Sequence, residues 1–132
     1  MSRLLIVPIG DLTPVAVTRA RGAKAFEALM DVVRQSGQDA SVVLVDTSGA
    51  KIVSGSFLDE LVVRIDQIHE TSLPKIGFRV NSEAEEAKLE RVCSLRKIKC
   101  TYQRWPDSTL KTTQVRRKPQ PRVASYPGSF FS

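Results

Sequence analysis

The stretch SVVLVDTSGAKIVSGSFLDEL, residues 41–61, reads as a strand that gives way to a helix. Val42 to Val45 form an unbroken apolar run, which suits a strand buried on both faces and ending at Asp46. Gly49 marks a turn, and Lys51-Ile52-Val53 after it reads as a short extended piece. From Phe57 the period changes. Phe57, Leu61, Ile65 and Ile68, flanked by Leu58 and Val62, fall on one face of a helix. A helix opening here leaves its first amides without intrahelical partners, and a serine hydroxyl accepts one of them. The helix is read as beginning at Ser54 or Ser56; Ser56, with Asp59 three residues on, has the spacing of a capping box and is expected at or within one residue of the cap.

The flanks repeat this alternation of elements. Arg3 to Ile9 is a short apolar run closed by Gly10-Asp11, and Pro14 to Thr18 reads as a second strand. Between Arg21 and Gln35, Ala23, Phe26, Leu29, Met30 and Val33 recur at helical spacing, with Gly37 placed to end the helix. Pro74 precedes a further strand, Lys75 to Val80. Ser82 and Glu85 have capping-box spacing at the head of a third helix, whose acids come first and bases last. Lys99 to Trp105 reads as an edge strand. The pattern predicts an α/β fold, with a mixed sheet of four to six strands and helices near 21–35, 56–69 and 82–97. A single domain over residues 1–105 follows.

After Trp105 the composition changes. Residues 106–132 hold four of the seven prolines and show no apolar period, so they read as a flexible tail. Its Lys111, Arg116, Arg117, Lys118 and Arg122 against Asp107 leave +4 of the chain's net +6. Those five bases would serve a nucleic-acid-binding accessory role, although no aromatic residues are interleaved with them. The closing SYPGSFFS is too apolar for a solvating tail, and Tyr126, Phe130 and Phe131 suit either fold-back or docking to a partner.

Several chemistries are poorly supplied. Cys93 and Cys100 lack metal-ligand spacing and are not expected to form a framework disulfide, and His69 has no second histidine. No cofactor motif is present, so neither cofactor nor metal is expected. The longest apolar runs fall far short of the roughly 20 residues that span a bilayer, and a cytoplasmic location is expected. Asp46, Asp59 and Glu60 are the carboxylates available for a hydrolase, but Asp59 and Glu60 are adjacent on a helix and diverge. The protein is expected not to be an enzyme.

The order strand, Asp46, Thr47-Ser48-Gly49, hydrophobic pair, Ser54-Gly55-Ser56, helix resembles the STAS fold of bacterial anti-sigma-factor antagonists. SGSFLDEL is closer still to STAS-like domains of unknown function, and the resemblance covers residues 19–80 best. It implies a regulatory protein-interaction module that docks a histidine-kinase-type ATPase or anti-sigma-like regulator. In that alignment Ser56 takes the place of the serine phosphorylated in the antagonists. Asp46, Ser54, Ser56, Phe57, Asp59 and Glu60 form the implied docking surface. Ser54 stands where the antagonists carry an acid, and Phe57 where they carry glycine, so the surface offered to a kinase differs.

Overall fold

The computed structural model describes residues 3–36, 39–68 and 72–114. His69, Arg116, Arg117, Lys118, Arg122, Tyr126, Phe130 and Phe131 lie outside the described residues. The fold is α/β, as the periodicities predict. Strand β1 (Leu4–Pro8) leads through a 3-10 turn to helix α1 (Arg19–Ser36). Then come β2 (Val42–Asp46), α2 (Gly55–Asp66), β3 (Lys75–Val80), α3 (Glu83–Arg96), β4 (Thr101–Arg104) and β5 (Leu110–Thr112).

The five strands lie side by side in chain order, β1 to β4 parallel and β5 antiparallel to β4. Parallel crossovers are almost always right-handed, so three successive ones in a single direction place all three helices on one face. Accordingly α1 packs on α2 and α2 on α3. Alternate strand residues Val7, Val43, Val45, Phe78 and Tyr102 point into this helical layer. There they meet Leu29 and Val33 of α1, Phe57, Leu61 and Val62 of α2, and Leu89 and Val92 of α3. The intervening residues Ile6, Leu44, Gly77 and Thr101 share a register row on the opposite face. Among the described residues no helix covers that face.

Two departures from the sequence reading have local causes. Pro14 to Thr18 is not a strand, because the Thr13 hydroxyl donates to the Val15 carbonyl and accepts from its amide, folding the chain locally. The segment contributes one bridge, Ala16 to Val53, and Val53 is likewise all that Lys51-Ile52-Val53 adds to a ladder. The second departure is β5, which carries the sheet past Trp105 into residues expected to be tail. A tight turn holds it: the Asp107 amide donates to the Arg104 carbonyl and Gln103 Nε2 to the Ser108 carbonyl. Thr113, almost fully buried, then fixes the end through its amide to the Cys100 carbonyl.

Candidate functional site

The site grows from the start of α2. Ser54, in extended conformation, is its N-cap, and the Ser54 hydroxyl accepts from the Phe57 amide at 3.1 Å. The expected cap at Ser56 is therefore corrected by two residues. Ser54 is fixed by contacts distant in sequence: its amide donates to the Ala16 carbonyl and its hydroxyl to that of Val17. With Ser54 pinned, Gly55 becomes the first helical residue, and Ser56 stands exposed in the first turn.

Phe57 is corrected too. It is fully buried in the core and presents nothing to a partner. Asp59 was expected on an open surface, yet it is only 9% exposed and held from two sides. Arg19 of α1 reaches its carboxylate at 2.6 Å, and Arg96 of α3 grips both oxygens at 2.6 and 2.7 Å. Gly22 makes the first contact possible, since a Cβ there would stand 2.9 Å from both the Phe57 carbonyl and the Glu60 Cβ. The missing side chain lets α1 close on α2 one turn after Arg19. Glu60 pairs with Arg64 at 2.6 Å, with Arg19 at 3.9 Å.

Around this ion-pair knot lies an open cleft of about 530 Å³, where Ser56 and Asp59 face Arg19, Arg91, Leu95 and Arg96. Leu95 is 74% exposed, an apolar surface amid charges. Sequence reasoning missed these four residues. Arg91 and Leu95 lie one helical turn apart, and with Arg96 they give a signal that a facing-side reading of α3 could have found.

The other expected residues lie elsewhere. Asp46 ends β2, where its carboxylate accepts from the Ser48 amide and Asn81 Nδ2, each at 2.9 Å. Burial pushes its pKa up, but the Ser48 and Asn81 hydrogen bonds outweigh this and hold it below the usual value. Asp46 and Asp59 thus keep separate partners. Lys111 sits exposed on β5. A smaller cavity of about 210 Å³ lies between Thr47, Val53, Phe78, Glu85 and Lys88. Lys88 Nζ there donates to the Val53 carbonyl at 2.6 Å, tying α3 to the loop before α2. Among the described residues no helix is long and apolar enough to cross a membrane.

The knot makes stability depend on pH. The Arg96 hydrogen bonds, opposed by burial and reinforced by Arg19, lower Asp59 from 3.8 to about 2. A depressed folded-state pKa contributes stability that is complete above the unfolded value near 3.8 and is lost as pH falls through 2. Both arginines are about half exposed, so solvent screening limits the effect to about 1–2 kcal/mol. Urea denaturation should show Asp59→Asn less stable than the parent by that amount at pH 7. The gap should close near pH 2; a constant gap would assign it to packing.

No family model, curated protein or solved structure matches the chain, so the functional reading rests on the geometry at the start of α2.

Proposed function

We propose that the protein is a non-enzymatic, STAS-like regulatory module that docks a histidine-kinase-type ATPase or anti-sigma-like regulator through the α2 start. The observation that carries this reading is the exposed Ser56 beside Arg19, Arg91, Arg96 and exposed Leu95 in one cleft. Leu95 supplies apolar contact and the arginines supply charge recognition, a pairing that suits a protein partner.

Ser56 is placed to act as the control point. A phosphate there would sit in the first turn of α2, where the helix dipole favours negative charge. It would also lie one turn ahead of Asp59 and Glu60 and compete with Asp59 for Arg19 and Arg96. Phosphorylation would then rearrange the charges that a partner meets while leaving Ser54, the actual cap, in place.

The test uses tagged full-length protein as bait, with co-purifying proteins identified and then titrated against variants. Leu95→Asp should weaken the captured partner at least about tenfold, since a charge would replace a central apolar contact. Ser56→Asp should change its affinity about fivefold or more, whereas Ser56→Ala should not. Unchanged binding by Leu95→Asp removes the docking surface, and parental binding by both Ser56 variants removes the switch. Stability separates the serines further: Ser54→Ala should cost about 1 kcal/mol, and Ser56→Ala less than about 0.5 kcal/mol. The opposite order in urea titrations would return the cap to Ser56.

A further inference from the structure

Cys93, in the last full turn of α3, and Cys100, just before β4, are both free and buried. Their sulfurs stand 3.2 Å apart and hydrogen-bonded. The pair has no role in the cleft around Ser56. Among the described residues no group of three or more His, Cys, Asp or Glu is arranged to hold a metal. Two buried cysteines need not face each other to fill a core. These do, across the point where α3 breaks at Lys97, whose left-handed backbone (φ 57°) turns the chain back towards the sheet.

We infer that Cys93 and Cys100 form a redox-active dithiol, which peroxide converts reversibly into an intramolecular disulfide. The sulfurs need to close by only about 1 Å to reach a bonded separation of about 2.0 Å. The chemistry balances with hydrogen peroxide as oxidant. The Cys93 thiolate attacks one peroxide oxygen and the O–O bond breaks, leaving a sulfenic acid on Cys93 and, after proton uptake, one water. The Cys100 sulfur then attacks the Cys93 sulfur, the S–O bond breaks, and the departing hydroxide leaves as a second water with the Cys100 proton. Two electrons pass from the thiol pair to the peroxide.

The surroundings divide the two roles. The Cys93 thiolate is stabilised chiefly by a hydrogen bond taken from Cys100, with the Thr113 hydroxyl adding another, so its pKa lies below the ordinary thiol value. Cys100 is pushed up by the Cys93 hydrogen bond and by burial, which keeps it protonated until Cys93 has reacted. Since the thiolate is the nucleophile, Cys93 is the attacking and Cys100 the resolving sulfur. Both sulfurs are buried, so peroxide must reach them through transient opening of the chain around the end of α3. The product joins α3 to β4, and through the Cys100 amide on Thr113 Oγ1 also to the end of β5. This inference stands apart from the docking reading.

Full-length protein, reduced and freed of reductant, would be treated with hydrogen peroxide, quenched with an alkylating agent and weighed intact under denaturing conditions. The expected product is a monomer lighter by two hydrogens and resistant to alkylation. Proteolysis should give a linkage of Cys93 to Cys100, and dithiothreitol should restore two alkylatable thiols. In Cys100→Ser, a sulfenic acid should persist on Cys93 and be trapped by dimedone. In Cys93→Ser, Cys100 should oxidise about tenfold more slowly than the parental pair. Should either variant fail to fold, the parental mass result still decides. Two free thiols after a treatment that fully oxidises glutathione would overturn the inference, as would separate sulfinic acids without linkage or exclusively intermolecular disulfides.

Discussion

Gly77→Ala should remove about 3 kcal/mol or more of folding stability, a large part of the roughly 5–15 kcal/mol that a domain of this size possesses. Gly77 sits in β3 opposite Thr101 of β4. A Cβ at Gly77 would lie 2.2 Å from the Thr101 carbonyl oxygen, 2.9 Å from its carbon and 3.2 Å from Leu44 Cδ2. The first two atoms are backbone, so no rotamer change relieves the clash. Strands β3 and β4 must separate, and the ladder from Gly77 to Val80 weakens with them. Gly10→Ala is the control, since a Cβ there meets nothing within 4 Å. Chemical denaturation should find Gly10→Ala near the parent or slightly above it. Similar midpoints for the two variants would mean that β4 yields at little cost.

Phe57→Ala should be comparably damaging, at about 3–5 kcal/mol. The ring is fully buried beneath α2, and its removal leaves a cavity among neighbours from other elements. The contrast with its neighbour is the informative part. Ser56→Ala alters an exposed hydroxyl, whereas Phe57→Ala alters the core one residue on, so stability should drop steeply between them. Urea titrations of both measure it directly. A small loss for Phe57→Ala would return the ring to the surface and revive it as a docking residue.

The elements with strong period were legible. The run Val42–Val45 and the stripe through Phe57, Leu61 and Ile65 put β2 and α2 in place because burial on one or two faces leaves its mark directly in residue order. What escaped depends on contacts between distant segments. Ser54 and Ser56 have the same capping chemistry, and carbonyls of Ala16 and Val17 decided between them. The Arg19–Asp59–Arg96 knot joins three helices, and no spacing along one helix announces it. Strand β5 is three exposed residues held by backbone bonds and one buried threonine, so it had no apolar pattern to show. The cysteine pair was visible as two residues but not as neighbours, because Lys97 sets their approach.

The side-by-side strand order also bears on how the chain folds. Each of β2, β3 and β4 is laid beside the strand just before it, so no slot is held open for a later segment to fill. Each of these three parallel pairings closes one helix-containing loop, and the entropic cost of closure rises only slowly with loop length. Assembly can advance one strand–helix unit at a time from any adjacent pair, and its contacts stay comparatively local for a protein with a largely parallel sheet. Fraying is equally directional: β1 and β5 can peel from the two edges while the β2–β3 pairing beneath α2 remains the last to part.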